Sequence, residues 1–296
     1  MVKSIFFSVR YKILTISIMI WLALALAGQC SAQQLNDTTR GKRIRIIDTL
    51  KKDLFTVPDT VSHLHSKLWT LVPPSIMIVY GTSSFYLHPV RRLDKSIYNE
   101  TLKHDWVPNN HMENYLQYAP VMLTYGLNLA GIHGKNTFVD RSMTYLLAQG
   151  MVELTVFSLK RATHRVRPNG SNSYSFPSGH SANAFAGAEF MAQELGGKSP
   201  YYGVVGYALA ATTGAFRIYH KDHWFSDVVA GAGFGILATK GAYLLYPVIR
   251  NNLTSKAREK QKSSTGIDIK QKPKREMILL PSFNDGAIGL QFAMQL

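Results

Sequence analysis

Four of the stretches without a charged residue limit how the middle of this chain can fold. They hold 18, 19, 16 and 12 residues respectively and run over Trp69–Tyr86, Asn114–Ile132, Tyr201–Phe216 and Val228–Thr239. The first two are of marginal length for a helix that crosses a bilayer. Two further segments, Ala182–Ala188 and Ala230–Gly235, are dense in small residues, which lets helices approach closely in water or in lipid. The pattern predicts an all-α bundle of five or six core helices over about residues 68–250.

Whether these helices lie in a membrane depends on the charges among them. Phe138–Lys160 is helical in pattern but contains Asp140, Arg141 and Glu153, and charges inside a span are costly unless they face a protein interior or a cavity. The mean hydropathy of −0.04 is low for a protein with several spans, although polar flanks lower it. We favour a membrane-associated bundle, with a soluble helical enzyme as the alternative.

The segments outside the bundle differ from it in composition. Residues 1–32 form a predicted signal peptide, 33–67 a polar and basic lead-in, and 251–276 a linker rich in Lys, Ser and Gln without fixed structure. In the tail, residues 277–296, apolar side chains alternate from Ile288 to Leu296, which predicts a short strand. We assign no function to this tail.

The N-terminus has the order of a secretory signal. Lys3, Arg10 and Lys12 precede an apolar run over Ile13–Ala27, with a plausible cleavage site after Ala32. Cys30 is not an obvious lipidation site because Gln29 precedes it, and cleavage would remove this single cysteine. Export to a periplasm or an equivalent space is favoured, and an uncleaved anchor is the alternative.

The formal net charge of +15 comes almost entirely from the flanks, chiefly 40–52 and 256–275. The core is nearly neutral, and a basic face interleaved with aromatic residues, as nucleic-acid binding requires, is not evident. Basic tails beside an apolar core suit anionic lipid headgroups, or they simply solvate the chain. The expected partners are therefore a membrane and a phosphorylated lipid, and not nucleic acid.

Three short motifs in the second half carry the chemistry. They are Lys160-x6-Arg167-Pro168, Pro177-Ser178-Gly179-His180 and Arg217-x5-His223-x3-Asp227. A tetrahedral oxyanion needs fixed positive charge around its oxygens. Its hydrolysis also needs a nucleophile, an acid for the leaving group and a group that fixes the tautomer of the nucleophile. Together the motifs predict a site that binds and cleaves a phosphate ester.

The spacing of the motifs suggests individual roles. His223 and Asp227 are four residues apart, so on a helix they share a face and the carboxylate can accept a hydrogen bond from one ring nitrogen. Ser178 is a candidate N-cap that would present the amides of Gly179 and His180 to an anion. Cations on separate segments would surround the remaining phosphate oxygens; they are Lys160, Arg167 and Arg217.

The three motifs resemble the signature of the type 2 phosphatidic-acid phosphatase family, whose superfamily includes bacterial acid phosphatases and vanadium haloperoxidases. One position departs from it: Phe216 stands where the family usually has Ser. The resemblance implies that His223 is the nucleophile, Asp227 its orienting partner and His180 the general acid. It implies that Lys160, Arg167, Ser178, Gly179 and Arg217 bind phosphate, and it implies no cofactor.

The remaining basic and histidine side chains near the motifs have more ordinary interpretations. We expect Arg165 to be a solvated charge near a helix end, and we expect no direct role for His164 and His220. We predict no metal site, because the histidines lack a Cys or a carboxylate at ligand spacing and the Lys and Arg of the motifs would repel a cation.

The sequence thus predicts a metal-independent phosphatase that acts on phosphate monoesters through a phosphohistidine, with its active site facing the periplasm. The substrate is expected to be a lipid, and phosphatidate, isoprenoid pyrophosphate, phosphatidylglycerol phosphate and phosphorylated lipid A remain open. The alternatives are a soluble periplasmic acid phosphatase of broad specificity, a vanadate-dependent haloperoxidase and a catalytically silent lipid-binding protein.

Overall fold

The computed structural model describes residues 68–103, 111–265, 277–284 and 287–294. The predicted signal peptide and the whole of the predicted lead-in, with the basic residues of 40–52, lie outside this range.

Helices make up nearly all of the described structure, which confirms the all-α prediction. After a 3-10 turn at Leu68–Leu71 there are eight α-helices in the described ranges. They are α1 Val72–Ser83, α2 His88–Leu102, α3 Glu113–Leu116, α4 Ala119–Leu129, α5 Phe138–Thr163, α6 Gly179–Leu195, α7 Tyr201–Tyr219 and α8 Phe225–Thr265. The last helix continues 15 residues past the predicted end of the helical region at 250, into the stretch predicted as a linker.

Local residue choice accounts for several helix ends. Pro73, Pro89 and Pro120 lie in the first turns of α1, α2 and α4, where the N–H that proline lacks has no partner within the helix. Helix α5 ends where His164 adopts a left-handed conformation with φ 45°. The segment that follows, residues 164–178, is a loop that connects α5 to α6 and carries parts of the first two motifs.

Helix α6 is the central helix and packs against α4, α5, α7 and α8. Its contact with α8 depends on two glycines, because a Cβ at Gly231 would overlap the carbonyl oxygen of Ser178, and one at Gly235 would overlap that of Ala182. The small residues noted in the sequence thus allow the backbones of α6 and α8 to meet. This close contact places the start of α6 beside the start of α8, where two of the motifs lie.

Two of the three charges noted inside α5, Asp140 and Arg141, face the protein interior, whereas Glu153 is exposed. The Arg141 side chain is fully buried, and its Nε lies 3.1 Å from Oε2 of Glu194 on α6. Asp140 accepts a 2.6 Å hydrogen bond from the hydroxyl of Tyr246 on α8. Burial with a partner removes the cost that these charges would have in lipid.

In the described ranges, only Phe225–Ser255 on α8 has the length and apolar character that a membrane crossing requires, and 61% of its most apolar window is buried against the rest of the protein. The uncharged run over Trp69–Tyr86 contains the 12-residue α1. The run over Asn114–Ile132 is divided between α3 and α4.

The C-terminal residues form a two-stranded antiparallel hairpin. Strand β1 (Met277–Asn284) pairs with β2 (Ala287–Met294), and Met277 lies opposite Met294. The alternation of apolar residues predicted the second strand. The first strand, which contains Pro281 and a run of adjacent apolar residues, was not predicted.

Candidate active site

The three motifs meet at one end of the bundle. Lys160 lies near the end of α5, Arg217 in the last turn of α7, and Asp227 in the first turn of α8. The amide of Ser178, just before α6, donates a 3.0 Å hydrogen bond to the carbonyl oxygen of Asp227. The charges of Lys160, Arg217 and Arg167 all act on His223, so the structure brings the predicted cations and the predicted nucleophile together.

His223 is held by a backbone carbonyl and not by the predicted carboxylate. The residue lies in the turn before α8 and is 2% exposed. Its Nδ1 donates a 2.7 Å hydrogen bond to the carbonyl oxygen of Ser175, whereas the nearest oxygen of Asp227 is 3.9 Å away. The helical spacing argument fails here because the helix begins two residues after the histidine, at Phe225.

The contact with Ser175 fixes the tautomer of His223. A carbonyl oxygen can only accept a hydrogen bond, so Nδ1 must carry the proton, and Nε2 of the neutral ring keeps its lone pair. Burial, and then the positive charges of Lys160, Arg217 and Arg167, lower the pKa of His223 well below its usual value. The ring is therefore neutral at ordinary pH and has an unprotonated Nε2.

Asp227 stabilises the loop that carries Ser175. Its Oδ2 accepts a 2.5 Å hydrogen bond from the Ser175 hydroxyl and a 3.0 Å bond from the amide of Trp224. The second bond is the half of a capping box in which an acid in the first turn reaches back to the N-cap amide. Asp227 thus acts on His223 indirectly, through Ser175, whereas the spacing suggested a direct hydrogen bond to the ring.

Arg165 is not the solvated charge that the sequence indicated. Its side chain is 14% exposed, its Nη1 lies 2.6 Å from Oδ1 of Asp227, and its Nη2 lies 2.8 Å from Oδ2 of Asp94 on α2. Asp94 in turn accepts hydrogen bonds from the amide and the hydroxyl of Ser226, at 2.9 and 2.6 Å. This chain of contacts joins α2 to the start of α8 and fixes Asp227. The contacts of Asp94 with Arg165 and Ser226 were not predicted, because about 130 residues separate Asp94 from the third motif.

Arg167 and Arg217 share one carboxylate and each keeps an unpaired nitrogen. Asp222 lies 3.5 Å from Nη1 of Arg167 and 2.9 Å from Nη1 of Arg217. Glu113, at the start of α3, lies 3.1 Å from the same nitrogen of Arg217. Among the described residues, the buried Nε atoms of both arginines have no hydrogen-bond partner. Buried donors of this kind are costly unless an acceptor completes them, and phosphate oxygens can do so.

Lys160 is the third cation of the site. Its Nζ donates a 2.5 Å hydrogen bond to the carbonyl oxygen of Tyr174 in the loop between α5 and α6. Burial, and then the nearby positive charge of Arg167, lower the pKa of Lys160 to about 8. The ammonium group therefore gives up its proton more readily than an exposed lysine does.

The second motif opens α6 as the sequence indicated. Ser178 is the N-cap of the helix and its hydroxyl accepts a 3.4 Å hydrogen bond from the amide of Ser181. Helix α6 then begins at Gly179, followed by His180, whose Nε2 donates a 2.7 Å hydrogen bond to the side-chain oxygen of Asn114. Burial and then the positive charge of Arg217 lower the pKa of His180 to about 4.

A group of potential metal ligands also lies beside the site, contrary to the spacing argument made from the sequence. Donor atoms of His111, Glu113, His220 and Asp222 all lie within 4.8 Å of one another. Each histidine has a carboxylate two residues later in the chain. The sequence argument considered the three motifs alone, and His111 and Glu113 lie far outside them.

Comparisons with known proteins bear on the family that the three motifs resemble. Residues 141–250 match the model of the PAP2 superfamily. A stretch of 143 residues is 36% identical to lipid A 1-phosphatase of Porphyromonas gingivalis and covers 47% of this chain and 31% of that protein, so the chain spans about a third of the length of this relative. The resemblance carried by the three motifs is confirmed, because the matching residues 141–250 contain all three of them.

Two solved structures are also similar to the chain. One is a transmembrane PAP2 type phosphatidylglycerolphosphate phosphatase from Bacillus subtilis, with 22% identity and a TM-score of 0.45, covering 65% of this chain and 98% of that one. The other is LpxE from Aquifex aeolicus, with 20% identity and a TM-score of 0.36, covering 58% of this chain and 94% of that one.

Proposed function

We propose that the chain is a lipid phosphatase that hydrolyses phosphate monoesters through a covalent phosphohistidine at His223. The observation that carries the proposal is the state of this residue. Its Nδ1 proton is committed to the carbonyl of Ser175, so the lone pair of Nε2 is available among the charges of Lys160, Arg167 and Arg217. A neutral imidazole in a cationic setting is suited to attack a phosphorus atom whose oxygens the cations bind.

The first step forms the bond between Nε2 of His223 and phosphorus and breaks the bond from phosphorus to the ester oxygen. His180 is the proposed donor of the proton that the leaving oxygen takes. The pKa of about 4 describes His180 in the ligand-free site, where burial and Arg217 disfavour its charge. A bound phosphate dianion offsets the charge of Arg217 and raises this pKa, because an adjacent negative charge favours the imidazolium.

In the second step, water attacks phosphorus and the phosphorus–nitrogen bond breaks. His180, now neutral, accepts a proton from the water, and inorganic phosphate leaves. The proposed phosphate ligands are Lys160, Arg167, Ser178, Gly179 and Arg217, with the Nε atoms of the two arginines available to phosphate oxygens. Asp227 holds the loop that fixes the His223 tautomer.

A lipid substrate and membrane association are supported by the outer surface of α5. Met143, Leu146, Leu154 and Phe157 are exposed, and their spacing puts them along one face of the helix. The same helix carries Lys160 near its end. A lipid whose chains lie along this apolar face would bring its headgroup to the phosphate site. The relative from Porphyromonas gingivalis, which acts on lipid A by its name, supports the same substrate class.

The orientation of the site is part of the proposal. The N-terminal pattern of charge, apolar run and small residues around Ala32 supports export. We therefore propose that the protein is exported and membrane-associated, with its active site on the periplasmic side.

The test is release of inorganic phosphate by the purified chain, compared between a detergent-dispersed lipid monophosphate and a small soluble ester. His223→Ala should lower release by at least about 10³-fold, since no other side chain can carry the phosphoryl group. His88→Ala, a substitution of an exposed histidine on α2, is the matched control and should behave as the unmodified chain does. Retention of more than about a tenth of the rate in His223→Ala would refute the covalent role.

The choice of substrate separates the remaining possibilities. Release from the lipid ester alone supports the lipid phosphatase, and equal release from both esters would replace it with a soluble-ester phosphatase. No release from either ester, with halide oxidation by peroxide on addition of vanadate, would replace it with a haloperoxidase.

A further inference from the structure

Two short sequence pairs, His111-x-Glu113 and His220-x-Asp222, come together beside the phosphate site although about 105 residues separate them. The first pair opens α3, and the second forms the turn after α7. Lys221, between the members of the second pair, has a φ of 59°. This left-handed residue reverses the chain so that the amide of Asp222 bonds the carbonyl oxygen of Arg217 at 3.1 Å.

Glu113 is the centre of the group. Its Oε1 lies 2.8 Å from Nδ1 of His220 and 3.2 Å from Nδ1 of His111. Its side chain is 0% exposed, and among the described residues its Oε2 has no hydrogen-bond partner. A buried carboxylate oxygen without a donor is costly, so one side of this carboxylate is open to a further positive group.

The donor set and its spacing fit a small transition-metal ion. Two imidazole nitrogens and two carboxylates are ligands that Zn²⁺ accepts, whereas Mg²⁺ and Ca²⁺ prefer oxygen alone. A tetrahedral zinc site with bonds of about 2.1 Å has ligand atoms roughly 3.4 Å apart. The four donors here already lie within 4.8 Å of one another, so small side-chain movements complete the geometry. His111 is exposed and gives the ion access from solvent.

We propose that His111, Glu113, His220 and Asp222 form a binding site for Zn²⁺.

The ion also competes with Arg217. Nη1 of this arginine lies 3.1 Å from Glu113 and 2.9 Å from Asp222, and these are two of the four proposed ligands. Zinc that takes both carboxylates removes the anchors of Arg217. This consequence rests on the proposed function. If Arg217 binds the phosphate ester, the site couples zinc to phosphate binding, and bound zinc raises KM for the ester.

The direct test measures zinc binding by calorimetry on the full-length, chelator-treated chain without a histidine tag. We expect saturable binding of one Zn²⁺ per chain. His111→Ala removes one ligand at an exposed position and should weaken binding by at least about tenfold. His88→Ala, the substitution of an exposed histidine outside the group, should bind zinc as the unmodified chain does. Absence of saturable binding, or equal binding by His111→Ala and the unmodified chain, would overturn the proposal.

A second arm separates this proposal from the catalytic one. His223→Ala should bind zinc with unchanged stoichiometry, because His223 is not a proposed ligand, so a failure of the catalytic proposal leaves the binding result intact. In phosphate-release assays, added zinc should raise KM in the unmodified chain and should do so in His111→Ala only at about tenfold higher concentration. Inhibition of both proteins at the same zinc concentration would contradict a site that contains His111.

Discussion

Two of the groups of charged side chains that are buried in this bundle differ in how far their charges are satisfied. In the first, which we call the interior cluster, Arg141 and Glu194 meet between α5 and α6. Both oxygens of Glu194 have donors: Oε1 accepts from Asn136 and from the hydroxyl of Tyr243, and Oε2 from Arg141 and the Asn136 amide. Both oxygens of this carboxylate are therefore already occupied by hydrogen-bond donors of the protein.

In the second group, at the phosphate site, the charges are only partly satisfied. Arg167 and Arg217 share Asp222 and each keeps a buried Nε without a hydrogen-bond partner in the described ranges, and the hydrogen bond of Lys160 goes to a carbonyl oxygen. A carboxylate whose two oxygens both have donors joins helices, whereas cations that share one carboxylate and keep buried donors are prepared to bind an anion. The comparison predicts that substitutions in the interior cluster change stability, and substitutions at the site change activity.

The largest expected effect is on stability, from Arg141→Met. The substitution leaves Glu194 buried without its cation, and removal of one partner of a buried ion pair costs about 3–5 kcal/mol. Denaturant unfolding measures this loss. Arg92→Met, at an exposed arginine of α2, should change stability by no more than about 0.5 kcal/mol.

The activity of Arg141→Met decides whether the comparison is right. The kcat/KM of the folded fraction should stay within about threefold of the unmodified value, because Arg141 and Glu194 lie at the opposite ends of α5 and α6 from Lys160 and Ser178. A large loss of kcat/KM in a variant that remains folded would show that the two groups of charges are coupled.

The next effect is on activity, from Arg217→Lys. An ammonium group keeps the positive charge but cannot reproduce the planar grip of a guanidinium on Glu113, Asp222 and a phosphate. We expect kcat/KM for the phosphate ester to fall by about 10²-fold, equivalent to roughly 2.7 kcal/mol of lost transition-state stabilisation. Steady-state kinetics measures it. Unchanged kcat/KM with lowered stability would place Arg217 with the interior cluster and not with the site.

The difference between the two groups also explains what could be predicted from the sequence. Lys160, Arg217 and His223 stand at fixed spacings near helix ends, so they could be assigned from the motifs. The partners that hold them could not. Ser175 acts on His223 through a backbone carbonyl, an atom that every residue has, and Asp94 reaches the site from about 130 residues away.

The fold was predictable where local composition decides it. Apolar runs and small residues indicated the helical bundle, and Ser178 marked the start of α6. The residues at which individual helices begin and end were harder to predict from the sequence. Pro120 begins a new helix inside a run without charges, and α8 continues beyond 250 into a polar stretch whose composition suggested a linker. Helix continuation there runs against composition and has no signal in the apolar pattern.

The smallest of these effects concerns Lys160, whose incomplete pairing should appear in the pH dependence. Burial lowers its pKa to about 8. Only the protonated amine attracts phosphate, so in kcat/KM, which reports the free enzyme, titration of Lys160 should add a decline centred on pH 8 to the dependence that His180 gives at lower pH. One pH unit above the pKa, about a tenth of the amine is protonated, so this added decline should amount to about tenfold at pH 9.

Lys160→Arg tests this assignment because a guanidinium stays charged far above pH 9. The decline in kcat/KM that Lys160 adds between pH 8 and 9 should disappear in this variant. Its kcat/KM is expected to be lower at every pH, since an arginine cannot fill the position of a lysine without some displacement. Lys198→Arg changes an exposed lysine and should keep the decline of the unmodified chain. If Lys160→Arg still declines through pH 8, another group titrates there. The positive charge of Lys160 would then be as permanent as that of Arg141, and the distinction between a saturated interior cluster and a responsive site would rest on Arg167 and Arg217 alone.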